Sequence, residues 1–292
     1  MHFVDAKGIL TGSKGHWGMN IYRGCSHGCI YCDSRSKCYR FTHAFEDIEV
    51  KQNAPELLDR VLKSKRKKSM IGTGSMSDPY MHCEGELGLT RKCLEIICHH
   101  GFGAAIQTKS DRILRDLDLL EEINRNSKCV VQMTLTTWDP ALCRIIEPNV
   151  CDTQRRIEVL DEMRKRDIPT VVWLTPILPF INDTEGNIRP ILEACAQVRV
   201  KGIICFDMGL TLREGDREYY YAALDRFFSG LKERYIRTYG NAYELPSPNR
   251  ERLMKLFEGF CREHAILYRP EDCFSYMSDF PEKMQQIRFP GM

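Results

Sequence analysis

Three cysteines near the N-terminus constrain this chain more than any other feature of its sequence. Cys25, Cys29 and Cys32 are separated by three residues and then by two. Thiolates are the usual ligands of a [4Fe–4S] cluster, and only three of them leave one iron open to a further ligand. A zinc site would normally include a fourth ligand at a recognisable spacing, and His27 lies too close to its neighbours to complete a tetrahedron easily. The spacing therefore favours an iron–sulfur cluster over a zinc knuckle or a set of buried thiols.

Short apolar runs alternate with amphipathic helical stretches along most of the chain. This alternation predicts parallel strands joined by right-handed helical crossovers. Six such units are too few for an eight-unit barrel, so we predict an α/β fold, an open partial (β/α)6 TIM-type barrel, rather than a doubly wound sheet. The predicted strands are Gly18–Tyr22, Ser69–Thr73, Gly103–Gln107, Cys129–Thr134, Thr170–Leu174 and Gly202–Phe206. The predicted helices are Pro55–Ser64, Gly88–His99, Arg112–Asn124, Thr153–Arg166, Asn187–Val198 and Asp216–Tyr235.

The C-terminal part of the chain is expected to cover the barrel rather than form an independent domain. We assign residues 1–235 to the barrel and residues 236–292 to a cap. Within this cap we predict one helix, Asn249–His264, followed by an irregular tail rich in aromatic residues and proline.

Composition narrows the possible function classes. Lys and Arg total 42 against 40 for Asp and Glu, which gives no support to nucleic acid held mainly through its phosphates, although it leaves that partner possible. No apolar run approaches the roughly 20 residues that a membrane span needs. The N-terminus does not resemble a secretion signal, so we expect a cytoplasmic protein without membrane contact. The 14 cysteines are then reduced thiols or metal ligands rather than a disulfide framework.

Polar and small residues follow the predicted strands, at the barrel end where a site would form. The carboxyl ends of the strands supply the active site in β/α barrels. Ser75, Ser77 and Asp78 follow the second strand, and Lys109, which can neutralise a carboxylate, follows the third. The candidates after the fourth and fifth strands are Thr134, Thr136, Pro176 and Ile177.

The cysteine loop, with Tyr31 just before its last cysteine, resembles the signature of the radical S-adenosylmethionine (radical SAM) superfamily. Over roughly residues 18–185 the chain also resembles the spore photoproduct lyase-like branch of that superfamily. This resemblance implies a [4Fe–4S] cluster that cleaves S-adenosylmethionine reductively to a 5′-deoxyadenosyl radical, which abstracts hydrogen from a substrate. It also implies an electron donor such as flavodoxin or ferredoxin. Besides the cysteine loop, the resemblance includes residues 77–80, 89–91, 108–110, 115–120 and 147–148.

The resemblance further implies which residues contact S-adenosylmethionine. Ser77 and Lys109 would lie near its methionine amino and carboxylate end, and we count Ser75 and Asp78 of the same loop among the cofactor-binding candidates. The expected neighbours of the ribose are Thr134 and Thr136, and those of the adenine are Pro176 and Ile177.

The departures from the lyase pattern concern the substrate. The lyase uses a cysteine two residues before the cofactor-binding serine as its hydrogen donor, and here that position is Ser75, whose O–H bond is too strong for the task. Tyr31 matches a tyrosine used in radical return, but a second tyrosine is replaced by Asp33. Cys83, in the same loop as Ser75, is the candidate thiol donor. We therefore favour an unidentified organic substrate over a thymine dimer.

Two alternative functions stay open at this stage. One is thymine-dimer repair of the photoproduct lyase type, and the other is a non-enzymatic, metal-bearing nucleic-acid-binding module.

Two charged residues, Glu147 and Arg156, follow the fourth strand. They are either an ion pair or substrate contacts.

Overall fold

The strands of the protein form one large sheet and two small ones. The structure is a computed structural model that describes residues 1–13 and 16–281. Its strands are β1 (His2–Val4), β2 (Leu10–Ser13), β3 (His16–Met19), β4 (Tyr22–Arg23), β5 (Glu49–Lys51), β6 (Met70–Thr73), β7 (Gly103–Thr108), β8 (Cys129–Thr134), β9 (Thr170–Trp173), β10 (Gly202–Ile204), β11 (Gly209–Thr211) and β12 (Glu244–Pro246).

The large sheet has the order β10-β9-β8-β7-β6-β3-β2. Every neighbouring pair from β10 to β3 is parallel, and β2 pairs antiparallel with β3. Across the described residues this sheet does not close, which confirms the open partial (β/α)6 barrel. Five of the six predicted strands are present, because each is a short apolar run bounded by turn residues. The first one, Gly18–Tyr22, is instead divided between β3 of the large sheet and β4 of a small sheet.

Helices cover the outer face of the sheet and bury its apolar side chains. Along β8, Cys129, Val131 and Met133 belong to the main hydrophobic core, whereas Val130 belongs to a separate cluster. This alternation follows from the period of two along a strand. The helices are α1 (Ala54–Ser64), α2 (Glu84–Leu87), α3 (Leu89–His99), α4 (Leu117–Asn126), α5 (Pro140–Ile146), α6 (Thr153–Arg164), α7 (Glu185–Gln197), α8 (Asp216–Phe227), α9 (Leu231–Tyr239), α10 (Arg250–Glu263) and α11 (Pro270–Ser278).

Most predicted helices agree with the structure to within one or two residues at each end, but two of them differ more. The predicted helix Asp216–Tyr235 is two helices, α8 and α9, separated by Gly230 in the left-handed region at φ +75°. The predicted helix Arg112–Asn124 begins as a 3-10 helix over Asp111–Asp116, and α4 follows it. Short-range helical periodicity does not distinguish these variations from one continuous helix.

The C-terminal residues that the structure describes pack on the barrel. α10 lies against α7, and α11 lies against β10. Residues 270–278, predicted to be irregular, form α11, which starts with Pro270 in its first turn, where proline is tolerated. The predicted boundary after residue 235 falls inside α9. The end of the predicted tail, residues 282–292, lies outside the described residues.

A small three-stranded sheet leads the chain to the predicted cluster loop. Its order is β1-β5-β4, and β4 ends two residues before Cys25. Within the described part of the chain, none of the helices is long and apolar enough to cross a membrane.

Candidate active site

The cysteine loop leaves β4 through a glycine that the packing requires. Gly24 has φ +90°, and a Cβ atom there would overlap the carbonyl oxygen of Phe45. The same carbonyl accepts a hydrogen bond of 3.1 Å from the backbone N–H of Cys25. Only glycine combines this conformation with such a close backbone approach. The first cysteine is therefore held against the segment that precedes β5.

The end of α5 and the segment that follows it hold the other side of the cysteine loop. The N–H of Ile30 donates to the carbonyl of Ile146 at 3.0 Å. Asn149 donates from its backbone N–H to His27 at 3.2 Å and from its side chain to the carbonyl of Ser26 at 2.8 Å. Asn149 has no local signal in the sequence, because its contacts join residues more than 120 positions apart in the chain. These bonds connect the cysteine loop to α5 and to the segment that follows α5.

The three thiols are buried to different depths. Cys25 and Cys29 are buried and Cys32 is half-buried. Burial and the nearby Asp78 raise the pKa of Cys25 to about 12. Burial raises the pKa of Cys29 well above its usual value, although the Lys109 ammonium opposes this shift. Such thiols lose their protons when a metal binds, so metal binding at this loop is coupled to proton release.

The spacing of the three sulfurs does not match a single metal ion. Among residues 1–13 and 16–281, the only trio of potential ligand atoms within 4.8 Å of one another is His2, His43 and Glu49. Thiolates on one tetrahedral ion, each about 2.3 Å from it, lie within about 4 Å of each other. The three cysteine sulfurs are not all within 4.8 Å of one another in this structure.

Asp78 connects the cysteine loop to the strand ends. Its carboxylate accepts hydrogen bonds of 2.8 Å from the N–H of Tyr80, the hydroxyl of Thr108 and the N–H of Lys109. One carboxylate oxygen also lies 3.5 Å from Nδ1 of His27. These contacts leave Asp78 little capacity for a ligand, so the structure gives it a positioning role. A direct cofactor contact from Asp78 stays a prediction.

A cavity of about 660 Å³ opens beside the cysteine loop. Its volume lies within the range of about 300–1,000 Å³ that is usual for small-molecule sites. Six residues predicted from the sequence line it together: Tyr31, Cys32, Ser75, Lys109, Thr134 and Pro176. Lining residues that the sequence analysis does not single out include Gln107, Trp173, Phe206 and Arg250. The structure thus brings residues from separate strand ends and the cysteine loop to one space.

The other predicted site residues are placed differently. Thr136 and Ile177 are completely buried and do not belong to the lining. The carbonyl of Thr136 instead accepts hydrogen bonds from Asn182 and Asn187. Cys83 is half-buried against the main core and also lies outside the lining. Its role as a hydrogen donor stays a prediction without geometric support.

Ser77 also lies outside the lining of the cavity, but its hydroxyl group has no hydrogen-bond partner among the described residues. The residue is buried. The same is true of Nε2 of His27 in the cysteine loop. Buried polar atoms are nearly always paired, so an unpaired atom requires an explanation, such as a missing ligand.

A completely buried ion pair lies behind Tyr31. Nη1 of Arg156 is 2.6 Å from Oε2 of Glu147, and neither side chain is exposed. The Tyr31 hydroxyl donates to Oε1 of Glu147, and Nη1 of Arg156 also donates to the carbonyl of Thr134 at 3.0 Å. We call Tyr31, Glu147 and Arg156 the site network. It resolves the alternatives for Glu147 and Arg156, which form an ion pair rather than direct substrate contacts.

The electrostatics of the site network favour an ionised carboxylate. Burial by itself would raise the pKa of Glu147, but the charges of Arg156 and Lys109 and the hydrogen bond from Tyr31 bring it below its usual value. Nζ of Lys109 lies 5.9 Å from the centre of the Tyr31 ring. Lys109 thus places a positive charge at the cavity wall, close to both Tyr31 and the cysteine loop.

Comparison with known proteins gives a consistent result. The family model described as the radical SAM superfamily matches residues 19–195. An uncharacterised protein of Mycobacterium tuberculosis is 28% identical over 246 residues, covering 80% of this chain and 70% of the relative. An uncharacterised protein of Methanocaldococcus jannaschii is 32% identical over 177 residues, covering 59% of this chain and 65% of that protein.

Among solved structures, a mutant of spore photoproduct lyase superimposes with a TM-score of 0.62. The match covers 91% of this chain and 80% of the lyase chain, at 12% sequence identity. At that identity the likeness concerns the fold.

Proposed function

The chain belongs to the radical SAM superfamily, and we propose that its 660 Å³ cavity holds S-adenosylmethionine and an organic substrate next to a [4Fe–4S] cluster on Cys25, Cys29 and Cys32. One observation carries this proposal. Cys32, Ser75 and Lys109 come from three separate segments of the chain and line the same cavity.

The residues at the cavity fit these cofactors. The open iron of a three-cysteine cluster needs a ligand from outside the protein, and Cys32 is the cluster cysteine that lines the cavity. Lys109 supplies a cation for a carboxylate. Ser77 and His27 have buried polar atoms without partners among the described residues, and a bound cofactor would give them partners.

Each residue then has a specific task in the site. When bound, the two cofactors supply a 5′-deoxyadenosyl radical that abstracts hydrogen from the substrate. Lys109 and Ser77 orient the methionine end of S-adenosylmethionine, Thr134 lies beside the ribose, and Pro176 lies beside the adenine. The site network holds the Tyr31 hydroxyl at the cavity wall, hydrogen-bonded to an ionised Glu147.

The outer part of the cavity suggests the character of the substrate. Trp173 and Phe206 form an edge-to-face pair with their ring centres 6.1 Å apart, and Phe206 is 58% exposed. Asp207 and Arg250, 2.7 Å apart, are charged residues in the same lining. A substrate with one flat apolar part and one polar part matches this surface.

We propose that flavodoxin or ferredoxin supplies the electron that reduces the cluster.

Thymine-dimer repair is not part of this proposal. Among the described residues, Cys32 is the only cysteine in the lining of the cavity, and it is assigned to the cluster. The position of the lyase hydrogen donor carries Ser75, which does line the cavity. A thiol donor of the lyase type therefore has no counterpart at this site.

Anaerobic reconstitution tests the proposed function. We expect the wild-type protein, loaded with iron and sulfide and reduced with dithionite, to convert S-adenosylmethionine to 5′-deoxyadenosine and methionine. Cys29→Ala should lose the cluster and both products. Cys38→Ala removes an exposed thiol outside the trio and should behave like the wild type. Failure of the iron-loaded wild type to form either product, or equal activity of Cys29→Ala, would refute the proposal.

A further inference from the structure

A second group of metal-ligating side chains lies outside the cavity, on the small N-terminal sheet. His2 belongs to β1, Glu49 to β5, and His43 to the segment before β5. One potential ligand atom from each lies within 4.8 Å of the other two. His2 and Glu49 are paired across the parallel strands β1 and β5, so the sheet register brings them together. This group uses none of the proposed cluster ligands.

Each of the two histidines makes a hydrogen bond through its Nδ1 nitrogen. Nδ1 of His2 lies 3.0 Å from a carboxylate oxygen of Asp47, and Nδ1 of His43 lies 2.9 Å from the carbonyl oxygen of Ala44. A carbonyl oxygen can only accept, so Nδ1 of His43 carries a proton. In a neutral ring, Nε2 then presents its lone pair. Metal-binding histidines typically show this arrangement, with the second nitrogen bonded to a carboxylate or a backbone carbonyl.

The lone pair of His43 faces a carboxylate across a gap. Nε2 is buried and has no hydrogen-bond partner among the described residues, and it lies 3.8 Å from Oε2 of Glu49. This distance is too long for a hydrogen bond. Two ligands held about 2.0–2.2 Å from one tetrahedral ion are about 3.4 Å apart, so a small movement of either side chain would suffice. A cation between the two atoms would bind the lone pair of Nε2 and neutralise the charge of the Glu49 carboxylate.

We propose that His2, His43 and Glu49 bind one divalent transition-metal ion, with Zn²⁺ as the best match. Two imidazoles and one carboxylate form a ligand set that zinc readily accepts, with water at the remaining position. The side chains are 38%, 15% and 20% exposed, respectively, so an ion can reach them from solvent.

The ion would join the N-terminal strand to the support of the cluster loop. His43 lies two residues before Phe45, whose carbonyl accepts the N–H of Cys25. β5 also pairs with β4, the strand that leads into the cysteine loop. The bound ion would therefore stabilise the side of the sheet on which the first cluster cysteine rests.

Zinc binding to the full chain tests this site. The protein should carry no affinity tag, and its cluster should be reconstituted anaerobically first, so that iron occupies the cysteines. After incubation with Zn²⁺ and desalting, zinc per chain is measured by mass spectrometry and its ligands by X-ray absorption. Shells of nitrogen and oxygen at about 2.0–2.1 Å are distinguishable from sulfur at about 2.3 Å.

Variants with a matched control decide the result. We expect one zinc per chain in the wild type, with a nitrogen and oxygen shell, and loss of that equivalent in both His43→Asn and Glu49→Gln. His100→Asn removes another histidine that is paired with a carboxylate, Asp59 at 2.7 Å, and should retain the zinc.

Iron content and the thermal unfolding midpoint, measured without zinc, show that each variant is folded. Because Glu49→Gln conserves shape, it provides the test if His43→Asn does not fold. The proposal is overturned if the wild type binds no zinc or if sulfur appears among the zinc ligands. It is also overturned if folded His43→Asn and Glu49→Gln still bind one zinc ion per chain.

Discussion

Two regions of the barrel bury charged groups, and they do so in different ways. The site network lies behind the cavity and joins Tyr31, Glu147 and Arg156. A second network lies between α2, α3 and the start of α4, and we call it the clamp. The clamp is made of Tyr22, Glu84, Tyr80, Arg91, Arg115 and Asp116. Glu84, Asp116 and Glu147 all have completely buried side chains.

The clamp is fully hydrogen-bonded. Glu84 accepts from the Tyr22 hydroxyl, from the N–H of Thr90 at 3.1 Å and from Arg115 at 2.9 Å. Arg115 also donates to Asp116 at 3.0 Å. Among the described residues, no buried side-chain atom of the clamp lacks a partner. None of its members lines the 660 Å³ cavity.

The site network and the residues near it, unlike the clamp, include buried polar atoms that lack a hydrogen-bond partner. Nε and Nη2 of Arg156 have no hydrogen-bond partner among the described residues, and neither do Nε2 of His27 and Oγ of Ser77. Tyr31 from the same network lines the cavity. A complete buried network stabilises a fold, whereas departures from full pairing concentrate at functional sites. We therefore predict a structural role for the clamp and a role in the site for the incomplete network.

The largest effect is expected from removing the cation of the site network. Arg156→Met leaves Glu147 buried without its ion-pair partner, which should lower the free energy of unfolding by about 3–5 kcal/mol. Arg155→Met is a matched control, because Arg155 pairs only at the surface with Asp111 and Glu158. Arg155→Met should lower the free energy of unfolding by less than about 1 kcal/mol. Denaturant unfolding at pH 7 measures both, and equal costs would contradict the assigned role of the pair.

The difference in unfolding free energy between the wild type and Arg156→Met should depend on pH, because it depends on the pKa of Glu147. Because the folded pKa lies below the unfolded value of 4.5, the ion pair contributes fully above pH 4.5 and is lost as the pH falls through the folded pKa. The difference between the wild type and Arg156→Met should therefore be complete at pH 7 and should shrink in acid. A difference that grows in acid would exclude Glu147 as its source.

A smaller effect, confined to stability, is expected in the clamp. Glu84→Gln keeps the side-chain shape but removes a charge that accepts several hydrogen bonds, which should cost about 1.5–3 kcal/mol. The formation of 5′-deoxyadenosine per reconstituted cluster should equal that of the wild type. A large loss of this activity in folded, cluster-loaded Glu84→Gln would remove the distinction between the two regions.

The parts of the fold that the sequence predicts are those with a local signal. Five strands of the large sheet and the cysteine motif depend on neighbouring residues and are predicted from the sequence. The division of the predicted strand Gly18–Tyr22 between two sheets depends on distant pairings and is not. Contacts between distant segments have no such signal. Glu147 and Arg156 therefore stay ambiguous until the structure places them 2.6 Å apart.

The predicted contacts after each strand show the same limit. Thr134 ends β8 and lines the cavity, whereas Thr136, two residues later, is completely buried and holds two asparagines through its carbonyl. The strict alternation of a strand no longer applies beyond its end. Sequence reasoning can therefore identify the rim of the barrel but not the direction of each side chain on it.

The most direct test of the central claim is the electron paramagnetic resonance spectrum of the reduced cluster, recorded with increasing S-adenosylmethionine. Binding at the open iron should change the spectrum of the wild type and of Glu84→Gln at similar concentrations. Ser77→Ala should need about 3–10-fold more S-adenosylmethionine, as expected for the loss of one hydrogen bond. A wild-type spectrum that does not respond, or a response lost in Glu84→Gln but unchanged in Ser77→Ala, would contradict the account.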